Sequence, residues 1–171
     1  DAALAQMTIS QHNLLTALRS LEERHTGMQT IHACTDITGF GLLGHLGEML
    51  SASNHQRHRA GLQPLRLILE AAAIPSLQGA LLLLKAGYSS TLAPANRRNW
   101  HLLNPSINGE PAPIEIALND VTPGSEHHQA LLELIVDPQT CGPLLLACSS
   151  EMAAELLMDG PWHRIGQVRP M

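Results

Sequence analysis

Apolar residues along this chain switch repeatedly between helical and strand spacing, and the two kinds of segment alternate from end to end. Leu14, Leu15, Leu18 and Leu21 recur at helical intervals, with Arg19, Glu22, Glu23 and Arg24 on other faces. This predicts an amphipathic helix over residues 7–27, with Ser10 placed to cap it and Gly27 to end it. Residues 28–34 alternate weakly and predict a strand. Residues 42–53 predict a second helix, with Leu42, Leu43, Leu46, Met49 and Leu50 on one face. The polar, basic stretch 54–61 reads as a loop and 65–69 as a strand. A helix is expected from Pro75-Ser76 to Lys85, stopped by Gly87, and another over 94–103. Three prolines and a glycine make 104–113 a loop. Then follow a strand at 114–118, a helix opened by Pro123-Gly124-Ser125 towards Val136, and a break at Asp137-Pro138. A buried strand at 144–148, a helix over 149–158 capped by Ser149 or Ser150, and a strand at 164–168 complete the pattern.

Helices and strands joined by connections long enough for crossovers predict a layered α/β arrangement of the α+β class: a mixed β-sheet flanked by helices. The 171 residues are one domain's worth, with no internal repeat, so 1–171 is read as a single domain. Position 1 is Asp and runs straight into a helical pattern, so a piece of a longer chain is expected.

Composition narrows what such a fold can do. Hydrophobic residues make up 44% of the chain but aromatics only 2%, namely Phe40, Tyr88, Trp100 and Trp162. The core must therefore come from Leu, Ile, Val, Ala and Met, and a surface that stacks bases on several rings is excluded. Charged residues are 15%, the formal net charge is −5, and Lys85 is the single lysine. That is no footprint for nucleic acid. No apolar run approaches the roughly 18 residues of a membrane-spanning helix. Cys34, Cys141 and Cys148 form no CxxC pair and read as free thiols, and no basic-then-apolar leader opens the chain. A cytoplasmic location is the expectation.

Two segments can carry chemistry. Thr35-Asp36-Ile37-Thr38-Gly39-Phe40-Gly41 lies between a predicted strand and a predicted helix. Backbone N–H groups at such a turn, with the helix N-terminus, present donors and partial positive charge to an anion. Gly39 and Gly41 permit positive φ and close approach of a ligand. Asp36 adds a carboxylate for an N–H, a ribose hydroxyl or a cation, and Thr35 and Thr38 add hydroxyls. The glycine spacing fits neither a dinucleotide fingerprint nor a P-loop. A tight turn in which Asp36 or Thr38 caps the next helix accounts for the same residues. In the second segment, residues 137–146, Asp137, Gln139 and Thr140 can line a polar cleft, or form a turn between helix and strand.

The ten histidines include His55 with His58 and His127 with His128, but no zinc-type quartet or HExxH, so loop histidines are the simpler reading. Cys141 has no base placed beside it by the sequence. Lys85 at a helix end and Arg97-Arg98 on a helix face read as structural or solvated.

The string TDITGFGLLGHLGEM, residues 35–49, closely resembles the signature opening the C-terminal domain of the selenophosphate synthetases (selenide, water dikinases). DPQTCGPLLLA, residues 137–147, resembles that family's second C-terminal signature. Ala73-Ile74-Pro75 with Gly79, and Asn99 after two arginines, resemble landmarks between them, so the resemblance spans roughly residues 7–168. It implies a layered domain like the C-terminal domain of aminoimidazole ribonucleotide synthetase. It also implies a longer protein that makes selenophosphate from selenide, ATP and water, releasing AMP and phosphate with magnesium. In that family the catalytic Cys or selenocysteine, its lysine and the aspartates that hold ATP and magnesium lie in the N-terminal domain. The implied partners are therefore the chain's own N-terminal catalytic domain and, for the longer protein, a second copy in a homodimer. This stretch alone is expected to be inactive.

By that resemblance Thr35, Asp36, Thr38, Gly39, Phe40, Gly41 and His45 match one signature, and Asp137, Pro138, Gln139, Thr140 and Gly142 the other. The implied cofactor-binding set is Thr35, Asp36, Thr38, Gly39, Gly41, Asp137, Gln139 and Thr140. It contains no catalytic residue and no metal ligand, and it shapes an interdomain cleft. Cys141 stands where the family has Ser, and Pro143 where it has a second Gly; proline removes an N–H donor. The alternatives are another ATP-dependent synthetase of the same superfamily, or a non-catalytic domain that stabilises or regulates a fused partner. Phe40, the single Phe, is expected to pack the turn against the sheet or the partner domain.

Overall fold

Among the described residues, five strands fall into two sheets. In the computed structural model, which describes residues 2–25, 30–106 and 109–171, β1 (Ile31–Asp36) pairs antiparallel with β4 (Leu144–Cys148) as a two-stranded ribbon. β2 (Leu65–Glu70) lies between β3 (Ile114–Ala117), to which it is parallel, and β5 (Gly166–Pro170), to which it is antiparallel. The class is α+β, and the mixed pairing is confined to the three-stranded sheet. The separate ribbon is where sequence reading and structure differ, because strand pairing across long connections leaves no local signal.

The core sits between α3 (Gly41–Arg59) and the strands. Leu42, Leu43, Leu46 and Leu50 pack with Leu69 of β2, Ile114 of β3, Leu145 of β4, and Ile37, Ile135 and Val136 from connecting segments. Leu43, Leu69, Ile114, Ile135 and Val136 are fully buried. This is the aliphatic core that the composition requires; of the aromatics only Trp100 packs against it, from the side. Truncating one such Leu to Ala costs about 2–5 kcal/mol.

Local signals set many boundaries. Ser125 caps α6 (Glu126–Leu134) by accepting from the His128 N–H, and Ser149 caps α7 (Ser150–Asp159) by accepting from the Met152 N–H. Where expectation and structure part, the cause is local. The first predicted helix is two, α1 (Ala2–Met7) and α2 (His12–Arg24), because Thr8 and Ile9 turn back on the carbonyls of Ala5, Leu4 and Gln6. The Ser10 hydroxyl accepts from the His12 N–H as α2 starts. Gly27 and the start of the strand expected at 28 lie outside the described residues. The expected loop at 54–61 is instead the last turns of α3. Asn54 holds both the N–H and the carbonyl of Leu65, and Arg57, His58 and Arg59 favour the helix C-terminus. Gly61, at φ +67°, then ends it with N–H groups of Gly61 and Leu62 turned back on His58 and Arg57.

The helix expected from Pro75 shrinks to α4 (Ala80–Lys85), entered through left-handed Gly79 and ended at Gly87. That expected over 94–103 divides into α5 (Ala93–Asn96) and a 3-10 stretch, Arg97–Leu103. Arg97 there makes a forked ion pair with Glu133 of α6, at 2.8 and 3.0 Å, with its guanidinium 5.9 Å from the Trp100 ring centre.

Candidate functional site

The two motif segments, a hundred residues apart in sequence, form one double loop. It begins where the ribbon ends: Asp36 of β1 stands opposite Leu144 of β4. One residue on, the Ile37 N–H donates to the Pro143 carbonyl at 3.0 Å, and the Thr38 carbonyl accepts from Gln139 N–H at 3.1 Å. The loops approach so closely at Gly142 that a Cβ there would overlap the Ile37 carbonyl oxygen. Pro143 contributes its carbonyl to this seam, an interaction that needs no N–H.

The turn into α3 is held just as tightly. Gly41 takes φ +69°, and a Cβ on it would lie 2.8 Å from the Val136 carbonyl carbon. The Gly41 N–H returns to the Thr38 carbonyl, and the Leu43 N–H donates to the Ile135 carbonyl at 2.8 Å. The glycine expected to admit a ligand therefore admits the backbone of Val136, in the segment that follows α6. One amide of the first turn of α3 is likewise taken by protein. Gly39 differs: nothing lies within 4 Å of a Cβ placed there, and its φ is not positive.

His45, 7% exposed, reaches back from α3 so that its Nε2 accepts the Thr38 N–H at 3.0 Å, with the Thr38 hydroxyl at 3.1 Å. Phe40 does not pack on the sheet. It is 48% exposed, its ring tilted over His45 with centroids 5.8 Å apart.

The eight expected site residues therefore separate. Thr35 and Asp36 line a cleft of about 530 Å³ bounded by Met7, Ile9 and Leu15 on one side and Cys34, Cys141 and Leu144 on the other. Thr38, Gly39, Gly41, Asp137 and Gln139 belong to the double loop, and Thr140 is exposed on its surface. Asp137 is half-buried. Burial pushes its carboxyl above the usual range, a backbone hydrogen bond from Ser90 draws it back, and the Glu133 charge raises it further. The Gln139 side chain donates to the Asp137 carbonyl at 3.3 Å and to its carboxylate at 3.4 Å.

The site's chemistry is that of hydroxyls, carbonyls and two carboxylates. Among the described residues no Lys or Arg lines the cleft, and no group of three His, Cys, Asp or Glu is placed to hold a metal ion. A phosphate or a magnesium ion does not find a complete ligand set in these residues. Asn96 joins the site without having been expected there. Its only sequence mark is a polar residue inside a predicted helix, three residues before Asn99, whose amide packs at the Gly44 face of α3.

Residues 7–60 match the family described as "AIR synthase related protein, C-terminal domain". The chain is 35% identical over 127 residues, 74% of its length, to the selenide, water dikinase of Rhizobium meliloti (strain 1021), of which it covers 29%. Over 130 residues, 75% of its length, it is 31% identical to that of Clostridioides difficile (strain 630), again covering 29%. Over 161 residues, 91% of its length, it is 30% identical to that of Clostridium botulinum (strain Eklund 17B / Type B), of which it covers 39%. The chain thus spans about a third of the length of these relatives.

Proposed function

We propose that this chain, a homologue of the selenide, water dikinases over most of its length, is the C-terminal domain of such an enzyme. The whole protein makes selenophosphate from selenide, ATP and water, with AMP and phosphate as the other products. Residues 1–171 act as one domain, and their part is to wall the cleft that faces an N-terminal catalytic domain.

The observation that carries this reading is the double loop. Two segments distant in sequence are stitched together by backbone bonds, and the cleft at the Thr35–Asp36 end of that seam has no Lys or Arg among its lining residues. Transfer of a phosphoryl group needs cationic groups and metal to spread the developing charge. A surface of carboxylates and hydroxyls is half of such a site. ATP and magnesium are then held mainly by the other domain, with Thr35, Asp36, Thr38, Gly39, Gly41, Asp137, Gln139 and Thr140 shaping the near wall. The half-exposed Phe40 on the same loop supports a surface that another part of the protein covers. We take the longer protein to be cytoplasmic and homodimeric, with neither nucleic acid nor membrane as a partner. The net charge of −5 gives these 171 residues no basic surface for nucleic acid.

The test is selenide-dependent AMP formation by the longer protein that carries this chain, beside the 171 residues alone. Activity is expected in the first and none in the second. Metal-dependent ATP hydrolysis by the 171 residues would overturn the division of labour. Absence of selenide-dependent AMP from the longer protein would favour a non-catalytic domain. The seam at Pro143 argues against that second reading, since the proline leaves the pairing of the loops intact.

A further inference from the structure

We propose that Asn96 is the positioning residue of this site: its side-chain amide clamps the two motif segments in one fixed relation. Asn96 ends α5 and is 4% exposed. Its Nδ2 donates to the Gly39 carbonyl at 2.8 Å and to the Val136 carbonyl at 3.0 Å. Gly39 lies inside the first motif, and Val136 is the residue before Asp137, which opens the second. A single side chain thus ties the first motif to the residue that leads into the second.

The residue type is dictated by the task. Two carbonyl oxygens from separate segments converge on one point and need two hydrogens from one small, neutral group. A primary amide carries both on one nitrogen; a hydroxyl carries one, and an ionised carboxylate none. The pairing also satisfies two carbonyls at a buried position, where an unmet acceptor is costly.

The backbone bonds of the seam join the same loops elsewhere, at Thr38–Gln139 and Ile37–Pro143. With Asn96 added, the turn at Gly39 and the lead into the second motif are held by a side chain as well as by the backbone seam. Asn96 touches no ligand. It sets how far the Asp36 rim stands from the Asp137 rim, and so whether a nucleotide meets both at once.

What the clamped loop binds rests on the function proposed above, and the experiment separates the two. In the longer protein, Asn96→Ala and the isosteric Asn96→Asp are compared with Met152→Ala, which opens a fully buried position on α7 outside the core cluster behind the loop. Amide hydrogen exchange at Gly41 and Gln139, both bound to the Thr38 carbonyl, is read beside the nucleotide KM and kcat of selenide-dependent AMP formation. Both Asn96 variants are expected to speed exchange at these two amides and to raise KM roughly tenfold, with a much smaller change in kcat. Met152→Ala is expected to lower the melting temperature with KM unchanged. Unchanged exchange and KM in the Asn96 variants overturns the proposal, as does an equal rise of KM in Met152→Ala. If the unmodified protein forms no AMP from selenide, the functional reading falls and the exchange data alone decide the clamp.

Discussion

The backbone N–H of Thr38 donates to Nε2 of His45 across 3.0 Å, and this contact decides the tautomer of a buried imidazole. A backbone N–H can only donate, so Nε2 is the acceptor and the ring hydrogen sits on Nδ1, 3.4 Å from the Glu48 carboxylate. The histidine of the first motif is thereby a strut under the turn. His45→Ala strands the Thr38 N–H, so a loss of about 1–3 kcal/mol is expected in urea denaturation, with faster exchange at the Thr38 amide. A Thr38 amide as protected as before would remove His45 from this role.

Gly41 and Gly39 sit two residues apart and should respond in opposite ways to the same substitution. Gly41→Ala forces a Cβ into the Val136 backbone at a left-handed φ, and a loss of about 2 kcal/mol or more is expected. Gly39→Ala meets open space and should stay within about 0.5 kcal/mol of the parent. Comparable losses at both positions would mean that the turn is not packed on the Val136 backbone as described.

Asp137 makes stability depend on pH. Its carboxyl is raised by burial first, against the pull of the Ser90 N–H, with Glu133 adding to the rise. An acid whose pKa is higher folded than unfolded binds more protons in the folded state. Its contribution is therefore fullest below the ordinary carboxylate range and falls as pH climbs through the raised value. Asp137→Asn should flatten this part of the curve, measured as denaturation midpoints from acid to neutral pH. Parallel curves for the two proteins would contradict the burial of this carboxyl.

The three thiols should separate in an alkylation time course. Cys148 is partly buried, and burial raises its pKa. Cys34 is raised by burial and then by the neighbouring Asp36 charge. Cys141 is exposed on the loop at φ +53°. Since the thiolate is the nucleophile, Cys141 should react first and Cys148 last, and Asp36→Asn should quicken Cys34. A rate at Cys34 that ignores Asp36 would remove that carboxylate as its neighbour in the cleft.

Much of the scaffold was legible residue by residue. Ser125 and Ser149 mark helix starts because a hydroxyl meets an orphan N–H three residues on. Gly87 marks a helix end because it takes the left-handed conformation. The polar, basic run after Ser53 misled for a physical reason as well. Exposed helix ends carry the same residues as loops, and what kept His55 to Arg59 helical was Asn54 binding Leu65, eleven residues away.

By itself, then, the sequence determined the element types, an aliphatic core, and the two motif segments with their carboxylates and glycines. These follow from preferences that act within a few residues and from a side-chain inventory that folding cannot change. Only the tertiary structure decided that the strands divide into two sheets. It also decided that Gly41 makes room for Val136, and that Asn96 grips carbonyls 57 and 40 residues away. Each depends on where distant backbone groups are brought to rest, and a hydrogen bond leaves no trace in the sequence until the chain has closed the distance.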